Sequence, residues 1–172
     1  VGTLITDIKQ PILIVAENGV EQEAITRLAR VGYDHTIGYL SGGIDAWIDA
    51  KKELDEIVSV SPEEFVELAE EAELKILDVR KPGEFANGHV EGAITAPLDF
   101  INESMKAIDP EETYLVHCAG GYRSMIFTSI LRARGYENLI DVAGGFGKIK
   151  DVEGVKLVDG TSSCSSTSCS PQ

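Results

Sequence analysis

The sequence predicts an α/β fold, a parallel sheet with helices on both faces, and three observations carry that expectation. Short apolar runs of strand length alternate with segments of helical period between about residues 60 and 150. Turn chemistry punctuates them: Pro82, Gly88 and Pro97 follow or open the periodic segments. The back half of the pattern also occurs twice, at a period of about a hundred residues.

The first occurrence runs Ile12-Leu13-Ile14-Val15 as a strand, then a loop, a helix through Leu28-Ala29-Arg30, Gly32-Tyr33, a short strand and Gly42-Gly43-Ile44. The second runs from Tyr114 to His117, then a loop, a helix through Leu131-Arg132-Ala133, Gly135-Tyr136, a strand and Gly144-Gly145-Phe146. Residues 1–50 therefore read as the back half of one unit, whose front half would lie upstream of Val1. The chain begins without Met and is expected to be a fragment of a longer protein. Residues 51–59, opening on mixed charges, read as a solvated linker.

A complete unit is expected over residues 60–152. Ser61-Pro62-Glu63-Glu64 is a capping box with Pro at the first helical position, and Phe65, Leu68 and Ala69 then share a helical face. Leu74 to Val79 is a buried strand, Pro82 to Asn87 a short helix stopped by Gly88, and Ala93 to Ala96 a strand ended by Pro97. Asp99 to Met105 has a short helical period, and Met125 to Arg134 a longer one. Residues 153–172 read as a tail, unpacked and Ser-rich from 160. Cys164 and Cys169 there lack a neighbouring His or third Cys, so no metal site is expected.

Composition narrows the function classes. The chain has 172 residues, 43% of them hydrophobic, enough to build a core for one domain or a little more. No apolar run approaches the roughly 18–20 residues that span a bilayer, and no charged-then-apolar leader opens the chain. A formal charge of −14 argues against nucleic acid and anionic membrane as partners. Three cysteines without an export signal point to a reducing, cytoplasmic setting with free thiols.

Chemistry concentrates at Cys118. The thiol ends the apolar run Tyr114-Leu115-Val116-His117 and opens the loop Ala119-Gly120-Gly121-Tyr122-Arg123-Ser124, which leads into a helix. Glycines let successive N–H groups converge on one spot, and the helix N-terminus adds its positive end. That field, with Arg123, is expected to lower the thiol pKa and favour the nucleophilic thiolate. In a parallel sheet, ligands sit at the C-terminal ends of the strands, where Cys118 lies and where Asp78 and Arg80 end another strand. His117 precedes Cys118 on the strand, so it should point away from the pocket as a core histidine.

The string Ile76-Leu77-Asp78-Val79-Arg80 through Gly88-His89-Val90 to Pro97, the Cys118 loop and Asp141-Val142-Ala143-Gly144-Gly145-Phe146 together resemble the rhodanese (thiosulfate sulfurtransferase) family. The likeness covers about residues 60 to 150, in the family's order and spacing. It implies a rhodanese-like sheet and a two-step transfer of sulfane sulfur through a Cys118 persulfide. A small anionic donor, such as thiosulfate or a persulfide, would load the thiol, and a thiol or cyanide would accept the sulfur. No cofactor is implied. Cys118 would be the nucleophile, Arg123 the donor-binding cation, and Ala119, Gly120, Gly121, Tyr122 and Ser124 the substrate-binding loop. Asp78, Arg80 and His89 would support it, His89 by hydrogen-bonding its turn.

The first occurrence departs from this pattern. Its loop reads Ala16-Glu17-Asn18-Gly19-Val20-Glu21-Gln22-Glu23, with Ala16 in the thiol position by strand alignment or Val15 by helix alignment. Without a thiol, and with carboxylates in the loop, it should not transfer sulfur. Tandem units with an inactive first copy look like the tail of proteins that begin with a metallo-β-lactamase-like domain, whose metal ligands would lie upstream. Two other functions stay open. The dual-specificity phosphatases, and arsenate reductases with them, look like rhodaneses with a loop one residue longer than the four residues between Cys118 and Arg123. A binding or regulatory module without turnover is the other.

Overall fold

The computed structural model describes residues 2, 4–70 and 74–159 of the chain. The chain divides into two compact units, residues 1–56 and 57–172. Among the described residues no helix is long and apolar enough to cross a membrane.

The first unit is a strand–helix–strand–helix module: β1 (Ile12–Ile14), α1 (Glu21–Ala29), β2 (Thr36–Tyr39) and α2 (Gly43–Asp49). The two strands pair in parallel, with a register irregularity between Ile12 and Leu13. Gly32 closes α1 with φ +91°, because the chain reverses there in a conformation that side chains resist. Tyr33 then donates its N–H to Leu28 O at 3.0 Å. One face of this two-stranded sheet is open to solvent: Leu13 is 70% and Ile37 62% exposed.

The second unit carries β3 (Ser59–Val60), α3 (Pro62–Glu70), β4 (Lys75–Asp78), α4 (Pro82–Ala86), β5 (Gly88–Val90) and β6 (Ile94–Thr95). After 3₁₀ turns flanking α5 (Ile101–Ser104) come β7 (Tyr114–His117), α6 (Tyr122–Arg132), β8 (Leu139–Val142), α7 (Phe146–Ile149) and β9 (Leu157–Asp159). Five strands form one sheet in the order β3-β8-β7-β4-β6, every pair parallel. The predicted helix-covered parallel sheet is the fold observed.

Strand alternation sorts the core into two layers. Leu77 and Val116 turn to the side of α5 and α6, where Phe127, Leu131 and Leu139 join them. Ile76 and Leu115 turn to the other side, against Phe65 of α3 and Ile149 of α7. Leu77, Leu115, Val116, Phe127 and Leu131 have no exposure, and burying each such side chain contributes roughly 1.5–3 kcal/mol. The capping box forms as expected: Ser61 Oγ accepts from Glu64 N at 3.1 Å, and Glu64 Oε2 accepts from Ser61 N at 2.8 Å.

Three boundaries differ from the sequence reading. The linker's last residue, Ser59, pairs with Asp141 as the edge strand β3, since β8 offers an unpaired backbone row there. The expected tail begins inside the fold: β9 pairs antiparallel with β5, Val158 opposite His89. Helix α6 starts at Tyr122 rather than Met125, because Gly121, at φ +95°, turns the chain directly into it. Cys164 and Cys169, with the Ser-rich stretch, lie outside the described residues.

Candidate active site

Cys118 follows the last residue of β7, flanked in the sheet by β4 and β8, so its loop opens at the C-terminal end of the sheet. Two glycine-bearing turns set the loop. Gly121 supplies the left-handed residue before α6, and Gly144-Gly145 after β8 packs under the thiol's own backbone. Phe146 N donates to Cys118 O at 2.6 Å, and Gly147 N to Ala119 O at 2.9 Å. A Cβ on Gly145 would lie 2.3 Å from Cys118 O, so only glycine permits this approach.

The sulfur sits in a ring of donors. Gly121 N donates to Cys118 Sγ at 3.1 Å, and Ser124 Oγ lies 3.6 Å from it. Ser124 Oγ is also 2.9 Å from Gly121 O, so its single proton serves one acceptor or the other. Cys118 is only 1% exposed. Burial pushes the thiol pKa up. Hydrogen bonds from the Ser124 hydroxyl and from the backbone N–H groups of Ser124, Gly120 and Gly121 outweigh that effect, and the pKa lies below the ordinary cysteine value. Charge developing on sulfur meets fixed dipoles aimed at it.

Arg123 stands in the first turn of α6, but its guanidinium is engaged. Nη1 donates to Glu84 Oε2 at 2.7 Å and Nη2 to Glu84 Oε1 at 2.8 Å. This bidentate pair, chiefly the Arg123 hydrogen bonds, holds the Glu84 carboxyl down at about 2. Glu84 Oε2 also accepts from Lys81 N at 3.1 Å, which ties the carboxylate to the start of α4.

Asp78 and Arg80 form a buried ion pair, with Arg80 Nε 2.9 Å from both carboxylate oxygens and Nη2 2.6 Å from Oδ2. Arg80 Nη2 continues to Gly88 O at 2.8 Å, and the guanidinium lies 3.9 Å over the Phe146 ring. Through Phe146 N and Cys118 O, the pair reaches the nucleophile's backbone rather than its sulfur. His117 is fully buried, its ring 6.3 Å from that of Phe65, on the face opposite Cys118. Burial pushes its pKa down, so it stands neutral as a core residue at neutral pH. His89 Nδ1 is 2.9 Å from Phe85 O and its ring stacks on Phe85 at 3.8 Å, fixing the turn between α4 and β5. Tyr122 is 79% exposed.

The sequence reading thus brought together Cys118, the loop residues and Ser124, named Gly145 and Phe146 without a role at the thiol, and missed Glu84. Glu84 carried a signal: it stands three residues beyond Lys81, where a helix's first turn reaches back to cap itself. Among the described residues no cluster of three or more His, Cys, Asp or Glu side chains is placed to hold a metal ion.

The model of the rhodanese-like domain matches residues 61–151, more than half of the chain. The chain belongs to the rhodanese-like domain family. A rhodanese-related protein from Thermoplasma volcanium is 30% identical, with a TM-score of 0.53 over 59% of this chain and 97% of that one. A rhodanese-like domain protein from Staphylococcus aureus is 31% identical, with a TM-score of 0.53 over 58% of this chain and 97% of that one. Among curated proteins, a tRNA uridine(34) hydroxylase of Bacillus thuringiensis (strain Al Hakam) is 32% identical over 111 residues, 59% of this chain and 34% of that protein. One from Chlamydia felis (strain Fe/C-56) is 31% identical over 94 residues, 50% of this chain and 29% of that protein. The rhodanese-like chain spans about a third of the length of these curated relatives.

Proposed function

We propose that residues 57–159 are a sulfurtransferase that carries sulfane sulfur on Cys118. The observation that supports it is the donor ring around Sγ, which favours the thiolate and would favour a persulfide anion in the same place. In the first half-reaction the Cys118 thiolate attacks the outer sulfur of the donor. With thiosulfate, the S–S bond breaks, sulfite leaves with the bonding pair, and Cys118 becomes a persulfide. In the second, a thiolate or cyanide attacks the terminal sulfur, and the electron pair of the breaking bond returns to Cys118. The donors stay fixed while the negative charge passes between the inner and outer sulfur.

Within this reading, residues 1–56 are the back half of a second, inactive rhodanese unit. Ala16 and Gly43 support it: a Cβ on Gly43, at φ +60°, would lie 2.5 Å from Ala16 O, the relation that Gly145 has to Cys118. Ala16 brings no nucleophile to that position. The hydroxylase relatives share a part of their length with this chain, and a formal charge of −14 gives no support to a polyanionic substrate.

The test is thiocyanate formation from thiosulfate and cyanide, with intact mass after exposure to donor alone, for the wild type and Cys118→Ser. Turnover and a gain of one sulfur atom, both lost in the variant, are expected. A Cys118 that alkylates readily yet never gains sulfur from thiosulfate or from an organic persulfide would overturn the proposal.

A further inference from the structure

Three basic side chains near the thiol loop carry carboxylate partners. Arg80 pairs with Asp78 at 2.6 Å, Arg123 with Glu84 at 2.7 Å, and Lys81 Nζ with Asp99 at 3.7 Å. The cation that stands in the loop's own helix, Arg123, is therefore charge-neutralised by a residue from another element, 39 positions away in sequence. Glu84 does not swing freely: its Oε2 accepts from both Arg123 and Lys81 N, and Oε1 takes the second arm of the guanidinium fork. A dianion reaching Cys118 meets a thiolate, a fixed carboxylate and, in Arg80, Lys81 and Arg123, cations already paired, whereas a donor of little charge needs only the N–H groups aimed at sulfur.

We propose that Glu84 is the donor-selecting residue of this site: it occupies the anion seat of Arg123, so that organic persulfides load Cys118 in preference to dianionic donors. This rests on the sulfurtransferase reading. With a persulfide R–S–SH, the Cys118 thiolate attacks the outer sulfur, R–S⁻ leaves with the bonding pair, and Cys118–S–SH forms, so atoms and charge balance without a further reagent. With thiosulfate the leaving sulfite is a dianion, and its exit would call on Arg123. Selection then arises from a resident carboxylate and not from pocket size.

Glu84→Gln separates selection from folding, because a glutamine at the third helical position still reaches back to the Lys81 N–H. Single-turnover loading of Cys118 is followed by intact mass with thiosulfate and with an alkyl persulfide whose alkyl group is uncharged. The thiosulfate rate is expected to rise about tenfold in Glu84→Gln, the scale of one unit charge removed beside a half-exposed anion site, and to lose that gain in high salt. The alkyl persulfide rate should stay within about threefold. An equal change for both donors, or no gain with thiosulfate, would overturn the proposal. Thiosulfate binding is measured in parallel in Cys118→Ser with and without Glu84→Gln, and the same tightening is expected there. If neither donor loads the wild type, the sulfurtransferase reading fails, and the binding pair alone decides whether Glu84 excludes the dianion.

Discussion

Replacing Gly145 with alanine tests how the nucleophile is seated. Gly145 has φ +57°, where a side chain costs about 1–2 kcal/mol. Its Cβ would stand 2.3 Å from Cys118 O, 2.9 Å from Cys118 C and 3.0 Å from Ala119 C. These are backbone atoms and have no rotamer to retreat into. The two segments must separate by about 1 Å to reach ordinary contact, and overpacking of that kind costs about 1–3 kcal/mol. The total is about 2–5 kcal/mol. At about 4–8 °C per kcal/mol for a domain of this size, Gly145→Ala should melt at least about 8 °C below the wild type. Separation also strains the bonds from Phe146 N to Cys118 O and from Gly147 N to Ala119 O, so the loop's donors should lose their aim at sulfur. The thiol pKa, read from the pH dependence of Cys118 alkylation, should then rise. Gly120→Ala is the control, since nothing lies within 4 Å of its Cβ position. A Gly145→Ala protein that melts within about 2 °C of wild type, with an unchanged alkylation profile, would refute the reasoning.

Ser124→Ala removes a hydroxyl that lies 3.6 Å from Sγ and favours its charged form, so the alkylation midpoint should move to higher pH and alkylation at neutral pH should slow by about threefold to tenfold. An unmoved midpoint would show that the backbone N–H groups alone set the thiolate. Glu84 titrates at about 2 in the folded protein, below its ordinary 4.5, so its pairing stabilises the fold above the ordinary value and that contribution fades as pH falls from about 4.5 through about 2. Melting temperatures across that window should fall less in Glu84→Gln than in the wild type, and the difference should shrink in salt, because the pair is partly exposed. Parallel curves for the two proteins would remove the ion pair as a source of acid sensitivity.

Local signals were the legible ones. The strand ending at His117 and the Ser61 capping box each depend on residues within a few positions, and each appears where the sequence put it. Pairings across long separations were not legible. β9 finds β5 through backbone groups some seventy positions apart, and Leu157-Val158-Asp159 is too short to announce a strand. The resemblance assigns Arg123 to the donor, and nothing near it in sequence points to Glu84. Its partner is fixed by the tertiary approach of α4. The start of α6 was placed three residues late because Gly121 opens it by backbone conformation, with no side-chain cap to read.

The two units separate what the loop's backbone requires from what its chemistry requires. Gly32 and Gly135 both have φ +91° and close their helices through the same bonds, and Gly43 and Gly145 both approach the carbonyl at the start of a loop. These glycines occur with and without a thiol, so they answer to the packing of a turn against a strand end and do not by themselves mark a catalytic site. The first turns of the helices differ. α1 opens with Glu21 and Glu23, and Glu21 Oε2 already accepts from Gly19 N at 2.9 Å, so a resident carboxylate takes up the positive end of that helix. α6 has no acidic residue in its first turn, and the N–H that opens it, Gly121 N, points at Cys118 Sγ. The two loops therefore differ in which acceptor occupies the helix start: a carboxylate in one unit, a sulfur in the other.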